Sequence, residues 1–192
     1  MLAKLLSSIV AEGLSYLTEN HQLILLTHFR GRPGHSTTDS LHLLIDTIKA
    51  AWRRRQVVSV LVLDVEGAFP NMVTPLLLHN LRKRRVPEVY VSYVDSMLTG
   101  HWTQLKFDDY TSSWFELDNS IGQGNLLSML LYLYYNSYVL EVLKGHDEMG
   151  LGYVDDMALV TVASNFRRAH RRLKQMMVQP GGAVEWSGTH NS

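Results

Sequence analysis

Two short strand-forming segments flank the aspartate pair Asp155-Asp156. Residues 150–154 and 157–162 contain the aromatic and β-branched residue types that suit strands, so the pattern predicts a β-hairpin with both acids at its tip. Asp is also a common turn residue, because its carboxylate accepts hydrogen bonds from nearby backbone N–H groups. Taken alone, the pair is therefore compatible with an ordinary solvated turn.

A third aspartate, Asp64, directly follows the apolar run at residues 57–63, which predicts a buried strand. Neighbouring strands of one sheet would bring Asp64 close to the Asp155-Asp156 tip. Phosphoryl transfer by two metal ions requires hard oxygen ligands on rigid elements, and adjacent strand ends provide such a support. The alternative is that each acid simply ends its own strand.

Composition limits the classes of protein that the chain can represent. Its 192 residues, 46% hydrophobic and 19% charged, are enough for one domain with a core or for part of a larger one. Eighteen Lys and Arg residues balance eighteen Asp and Glu residues, so net charge neither favours nor excludes a polyanionic partner. The absence of Cys excludes disulfides and thiolate metal sites, and fits an intracellular protein.

No membrane segment is predicted. The apolar N-terminus is interrupted by Ser7-Ser8 and ended by Glu12, and its leucine spacing favours an amphipathic helix over a signal peptide. The uncharged stretch at residues 126–140 is too short and too polar to span a bilayer, so it predicts a buried helix.

Helices and strands alternate along the rest of the chain. Ser36 followed by Asp39 forms a capping-box pattern that starts a helix ending near Arg53. Thr74-Pro75 is a good N-cap and first-turn pair for another helix. The further predicted elements are helices over about residues 74–85, 87–100, 126–143 and 165–179, and a strand pair at 101–107 and 113–117.

The last predicted helix has a basic side and an apolar side. The basic residues are Arg167, Arg168, Arg171, Arg172 and Lys174, and the apolar ones are Phe166, Ala169, Leu173, Met176 and Met177. The basic side is either an ordinary solvated face or, with other Arg clusters, a surface for a phosphate backbone. After Pro180 the glycine-rich sequence predicts an irregular connector.

Four segments of the chain resemble motifs of one protein family. Residues 63–69 (LDVEGAF), 122–128 (GQGNLLS) and 153–156 (YVDD) have the order and spacing of three palm motifs of reverse transcriptases. The resemblance is closest to the reverse transcriptases of non-LTR, LINE-like retrotransposons. Residues 32–39 (RPGHSTTD) resemble the fingers motif of the same group, so the likeness covers nearly the entire chain.

This resemblance implies an α+β fold: the fingers and palm of a right-hand polymerase, whose antiparallel palm sheet carries a YVDD hairpin and is backed by helices. Residues 1–56 would be a fingers-like segment and residues 57–179 the palm, with 180–192 a truncated connector toward a missing thumb. The implied activity is that of an RNA-directed DNA polymerase fragment acting on an RNA template, a DNA primer and dNTP. The endonuclease region of such elements is also missing, and the family implies a nuclear location.

The resemblance also assigns roles to the acids. Asp64 and Asp155 would hold two Mg²⁺ ions, for which Mn²⁺ is a possible substitute, and Asp156 would be the supporting acid. The backbone carbonyl of Val65 would be a further metal ligand. Together these residues would promote attack of the primer 3′-OH on the dNTP α-phosphate.

Four further residues would contact the nucleotide. Phe69 would be the aromatic steric gate that excludes a 2′-OH, and Arg32 would be the fingers cation near phosphate or template. Gln123 and Gly124 would adjoin the nascent base pair. From the residues alone, an ordinary core residue is the favoured interpretation of Phe69, and Arg32 is simply a loop arginine.

Two positions depart from the family pattern. After Gln123-Gly124 the family usually has an acid and then a proline, whereas this chain has Asn125 followed by leucine. Glu66 adds negative charge beside Asp64. Three hypotheses follow: a polymerase domain fragment, a catalytically inactive relic or module that binds nucleic acid, and another two-metal phosphotransferase such as a nucleotide cyclase. The order of the four motifs argues against the third.

Overall fold

The structure, a computed structural model, describes residues 2–117, 126–143 and 145–190. Its helices are α1 (Leu2–Asn20), α2 (Thr37–Arg53), α3 (Thr74–Lys83), α4 (Glu88–Leu98), α5 (Leu126–Asn136), α6 (Tyr138–Glu141), α7 (Phe166–Val178) and α8 (Ala183–His190). Its strands are β1 (Val57–Leu63), β2 (His101–Thr103), β3 (Lys106–Phe107), β4 (Tyr110–Thr111), β5 (Phe115–Leu117), β6 (Glu148–Tyr153) and β7 (Asp156–Ala163).

A three-stranded antiparallel sheet in the order β1-β7-β6 organises the chain. β1 pairs with β7 over its whole length, and Leu63 lies opposite Met157. β6 and β7 form a hairpin in which Tyr153 lies opposite Asp156. The end of β1 and the tip of the hairpin therefore lie at the same edge of the sheet.

Helix α5 forms the centre of the hydrophobic core. Its side chains from Leu130 to Tyr135 are almost completely buried, and it packs against α1 and α3. A helix that is apolar on all sides belongs in the interior, as the sequence predicts. The predicted helix over residues 126–143 is divided at Ser137 into α5 and the short α6.

The segment after α1 extends the sheet beyond β6. The Phe29 N–H donates to the Gly152 carbonyl at 3.0 Å, and the Gly152 N–H donates to the Thr27 carbonyl at 2.9 Å. His28 thus forms a parallel bridge with Gly152, two residues before Val154. Through this bridge, the segment between α1 and α2 is attached to β6, the strand that leads into the aspartate pair.

Arg32 fixes the same segment to α1. Its Nε and Nη2 atoms donate to the two carboxylate oxygens of Glu19 at 2.7 and 2.8 Å. Its Nη1 atom donates to the Leu25 carbonyl at 2.7 Å, and the Arg32 side chain is only 1% exposed. Such a two-bond arginine–carboxylate pair fixes orientation as well as distance.

The structure confirms some of the predicted helix and strand boundaries and differs from others. The capping box of Ser36 and Asp39 is confirmed, because each side chain bonds to the other residue's backbone N–H. Val73 is the N-cap residue of α3, so the prediction of Thr74 at that position was wrong by one residue. The predicted strand pair at residues 101–107 and 113–117 is confirmed where β2 pairs with β5, whereas residues 106–107 form a separate strand, β3, that pairs with β4.

The region after Pro180 is more ordered than predicted. Residues 183–190 form α8, which packs against α7 and buries Ala183 and Trp186 in the main core. The sequence indicated an irregular connector because two glycines and a proline precede this helix, and α8 itself contains Gly188. Burial of Trp186 stabilises the helix where its local propensity is weak. Within the described ranges, no helix is long and apolar enough to cross a membrane.

Acidification is expected to weaken this fold through His28. The ring is fully buried, and burial, followed by the charges of Arg32 and Arg84, lowers its pKa from 6.5 to about 3. Because the folded pKa lies below the unfolded one, the contribution of the neutral ring to stability is complete above pH 6.5 and is lost as the pH falls toward 3. A single group of this kind loses about 1.4 kcal/mol per pH unit within that window.

Urea unfolding at pH 7 and pH 4.5 measures this effect. His28→Leu should reduce the difference in unfolding free energy between the two pH values, because leucine cannot take up a proton. The exposed His79→Leu variant is the control and should keep the wild-type difference. An unchanged difference in the His28→Leu variant would contradict the assignment.

Candidate active site

Three aspartates meet at one edge of the central sheet. Asp64 follows Leu63 at the end of β1, and Asp156 precedes Met157 at the start of β7. Since Leu63 and Met157 are register partners, Asp64 and the hairpin tip lie side by side. Asp64 and Asp156 are exposed, whereas Asp155 is half-buried.

The three carboxylates lie within electrostatic reach of one another. Burial raises the pKa of Asp156, and the negative charges of Asp155 and Asp64 raise it further. The positive charge of Arg30 acts in the opposite direction on the same pKa. This edge therefore concentrates negative charge that a cation would neutralise.

The donor atoms at this edge fit a hard divalent cation. Carboxylate oxygens on strand ends are the ligands that Mg²⁺ and Mn²⁺ prefer. As placed, no three His, Asp or Glu side chains within the described ranges are close enough to form a metal-binding group. The chemistry of the three acids is thus suitable, while the coordination geometry is not assembled.

Two aromatic side chains lie beside the acids. The ring centroids of Phe69 and Tyr132 are 5.1 Å apart. The charges of Asp155 and Asp64 contribute to the raised pKa of Tyr132, after burial and Tyr135, so its phenol lies near both acids. Phe69, which is half-buried, consequently lies at the border of the acidic edge.

The turn that carries Asp155 has an unusual backbone. Val154 has φ of +64°, and its side chain is buried. A β-branched residue rarely adopts this left-handed conformation, which costs about 1–2 kcal/mol for an L-residue. The Val154 carbonyl accepts a hydrogen bond from the buried side-chain amide of Asn136.

Arg30 and Arg32, in the segment between α1 and α2, have different surroundings. Arg32 uses its guanidinium for Glu19 and backbone carbonyls, so its predicted contact with nucleotide stays a prediction. Arg30 is exposed, and its guanidinium carbon lies 5.3 Å from the centroid of the Tyr153 ring. The hydroxyl of Tyr153 accepts a hydrogen bond from the Thr37 hydroxyl at 2.6 Å, and this bond links the end of β6 to the start of α2.

An apolar cleft adjoins the acids on the α2 side of the sheet. Its volume is about 200 Å³, and its polar end is formed by Asp156 and Tyr153. Val60 and Val62 of β1 form one wall, and Leu41 of α2 forms the other. The lining of the cleft thus combines apolar residues of β1 and α2 with Asp156 of the acidic edge.

Some predicted site residues cannot be placed. Gln123 and Gly124 lie outside the described residues, as does Asn125. The backbone of Val65 follows Asp64 directly, and the Val65 side chain is buried in the core.

Sequence reasoning missed Arg30, Tyr132 and Asn136. Arg30 precedes the predicted fingers motif by two residues, and Tyr132 resembles any other core position of an apolar helix. A buried Asn in an otherwise apolar helix was the available signal, because buried polar groups usually have a hydrogen-bonding role.

A family model described as reverse transcriptase (RNA-dependent DNA polymerase) matches residues 1–186. The chain belongs to the reverse transcriptase family. A probable RNA-directed DNA polymerase from transposon X-element of Drosophila melanogaster is 28% identical over 133 residues, which are 69% of this chain and 14% of that protein. The RNA-directed DNA polymerase from mobile element jockey of the same species is 24% identical over 182 residues, 92% of this chain and 20% of that protein.

These relatives confirm the predicted resemblance to reverse transcriptases of LINE-like elements. The chain spans no more than about a fifth of the length of either relative.

Solved telomerase structures share the fold. Apo telomerase from Candida tropicalis superposes with a TM-score of 0.61 and 13% identity, over 88% of this chain and 33% of that one. Telomerase from Candida albicans in complex with the TWJ fragment of telomeric RNA has a TM-score of 0.51 and 14% identity, over 92% of this chain and 33% of that one. At this identity the likeness shows the fold alone, and it confirms a mixed helix-and-sheet polymerase fold.

The contact between Gly152 and His28 predicts that any side chain at position 152 lowers the stability of the fold. A Cβ there would lie 2.3 Å from His28 Nδ1, so the buried ring would have to move. Gly152→Ala should lower the free energy of unfolding by about 1–3 kcal/mol, as overpacked cores do. Urea unfolding measures the change.

Gly188→Ala is a matched control, because a Cβ at Gly188 meets no atom within 4 Å and Ala favours a helix. It should leave stability equal or higher. Combining Gly152→Ala with His28→Ala should recover part of the loss. Wild-type stability of the single Gly152→Ala variant would contradict the steric account.

Proposed function

We propose that this chain supplies the fingers and palm of an RNA-directed DNA polymerase from a LINE-like element. It would add dNTP to the 3′-OH of a DNA primer along an RNA template, with pyrophosphate as leaving group. The observation that carries the proposal is the meeting of Asp64, Asp155 and Asp156 at one sheet edge in a chain of the reverse transcriptase family. The names of the curated relatives support the same activity.

Reverse transcriptases use divalent metal ions, and the acids suit two Mg²⁺ or Mn²⁺ ions. Asp64 and Asp155 would be the principal ligands, the Val65 carbonyl a further one, and Asp156 the supporting acid at the YVDD hairpin. When bound, the ions would neutralise charge on the triphosphate and lower the pKa of the primer hydroxyl. The sheet holds the carboxylates on rigid strand ends, which keeps the reacting oxygens in line.

The nucleotide would approach from the side of α2. Arg30 is exposed, and its charge reaches Asp156, so it is suited to meet the phosphates. Phe69 would pack beneath the sugar and exclude a 2′-OH, supported from below by Tyr132. Gln123 and Gly124 would lie beside the nascent base pair, as the resemblance to the family implies. Arg32 would act mainly by fixing the fingers-like segment through Glu19.

The proposed organisation divides the chain by function. Residues 1–56 would serve as the fingers-like segment and 57–179 as the palm, and residues 180–192, including α8, would lead toward a thumb. In the full-length element, the thumb and an endonuclease region would complete the enzyme. The template would be RNA, which the names of the two Drosophila relatives, both RNA-directed DNA polymerases, support.

A second candidate is a module that binds nucleic acid without catalysis. Arg167, Arg168 and Arg171 are exposed on α7, whereas Arg172 is occupied by Asp147 at 2.7 Å and by the Val162 carbonyl. An exposed row of arginines can bind a phosphate backbone in the absence of a working active site.

Primer extension tests the proposal with a pair of matched variants. The assay measures incorporation of dNTP into a DNA primer on an RNA template with Mg²⁺ or Mn²⁺. Asp155→Asn with Asp156→Asn should abolish extension, because amides neither neutralise nor hold the ions as carboxylates do. Asp108→Asn with Asp109→Asn removes the same charge from another hairpin turn, between β3 and β4, and should leave extension intact.

The two candidates predict different results. Equal loss of extension in both double variants would contradict the assignment of the site. Absence of extension in the wild-type chain, with salt-sensitive binding of an RNA–DNA hybrid, would favour the binding module. In that case, replacing Arg167, Arg168 and Arg171 with Gln should weaken hybrid binding.

A further inference from the structure

The backbone of Val154 requires support from outside its own turn. Tyr153 pairs with Asp156, so Val154 and Asp155 are the two central residues of the hairpin turn. A positive φ at the first central position favours glycine, yet the residue here is β-branched. Local sequence preference therefore opposes the conformation that presents Asp155.

The side chain of Asn136 provides that support. Asn136 ends α5 and is completely buried, and its Nδ2 atom donates to the Val154 carbonyl oxygen. Its Oδ1 atom is buried without a hydrogen-bond partner among the described residues. An unpaired buried oxygen lowers stability, so the donor, rather than packing, explains an amide at this position.

The end of α5 is itself held firmly by α3. Asn80 donates to the carbonyl oxygens of Tyr134 and Tyr135, each at 3.3 Å. Arg84 donates to the hydroxyl of Ser137 at 2.6 Å. Asn136 is consequently fixed through the residues on both sides of it, and its side chain extends from a rigid backbone.

The hydrogen bond to Val154 controls more than one atom. The Val154 carbonyl and the Asp155 N–H belong to one planar peptide, so fixing the carbonyl fixes the rotation of that peptide and the start of Asp155. We propose that Asn136 is a positioning residue that acts through the Val154 carbonyl to aim the Asp155 carboxylate at bound metal. This inference rests on the polymerase function proposed above.

Asn136→Asp is the sharpest test, because it keeps the size of the side chain and replaces the donor with a second oxygen. Mn²⁺ affinity, measured from the electron paramagnetic resonance signal of free Mn²⁺, should fall about 10- to 100-fold, as for other residues that orient metal ligands. In primer extension, kcat should fall on the order of 100-fold, the effect of a small displacement at a reacting centre. The KM for dNTP should change little, because nucleotide contacts remain.

Thr18→Val is the control for lost stability alone. Thr18 of α1 makes a buried hydrogen bond with the Tyr134 hydroxyl at 2.6 Å. Tyr134 belongs to α5, but this bond lies away from the turn at Val154. Its removal should leave Mn²⁺ affinity and kcat near wild-type values. Circular dichroism at the assay temperature establishes that each variant is folded.

A second variant keeps the test decisive if Asn136→Asp does not fold. Asn136→Ala should lose Mn²⁺ affinity, and adding Val154→Gly should recover part of it, because glycine adopts a positive φ without support. No recovery in the folded double variant would contradict the proposed path through the turn.

The measurements separate this inference from the proposed function. If the wild-type chain extends primers and folded Asn136→Asp binds Mn²⁺ and turns over normally, the positioning role is overturned and the function stands. If the wild-type chain binds Mn²⁺ without extending primers and Asn136→Asp weakens that binding, the function is overturned and the positioning role stands. Failure of the wild-type chain to bind Mn²⁺ would overturn both.

Discussion

The antiparallel pairing of β1 with β7 brings together residues that lie far apart in the sequence. Its register, with Leu63 opposite Met157, puts Asp64 beside the turn that carries Asp155. A shift of one residue would turn every side chain of the strand to the opposite face of the sheet and would displace Asp64 from the turn. The buried face of the sheet, packed against α7, fixes that register through Leu159 and its neighbours.

Negative charge at this edge is maintained against unfavourable forces. Burial and then repulsion by Asp155 and Asp64 raise the pKa of Asp156, a buried phenol lies near two acids, and Val154 occupies a strained conformation. None of these features improves stability. Strain and concentrated charge of this kind are typical of functional sites, where surrounding packing holds them in place.

Local signals made part of this structure predictable. The capping box of Ser36 and Asp39 and the strand at residues 57–63 depend on neighbours in sequence, and both appear as expected. The positions of the acids at predicted strand ends suggested that they lie together, and the likeness to polymerase motifs implied the same. The ion pair of Arg32 with Glu19, the hydrogen bond from Asn136 and helix α8 depend on tertiary contacts. No local pattern encodes such contacts, so the sequence alone gave Arg32 only a loop setting and residues 183–190 only a connector.

The central claim is that the edge formed by Asp64, Asp155 and Asp156 is a two-metal site. Crystals of the chain soaked in Mn²⁺ with a primer–template and a non-hydrolysable dNTP, measured by anomalous diffraction, test it directly. The account predicts two Mn²⁺ peaks about 3.5–4 Å apart between the carboxylates of Asp64 and Asp155. Saturating Mn²⁺ with no peak at this edge, or with peaks only elsewhere on the chain, would contradict it.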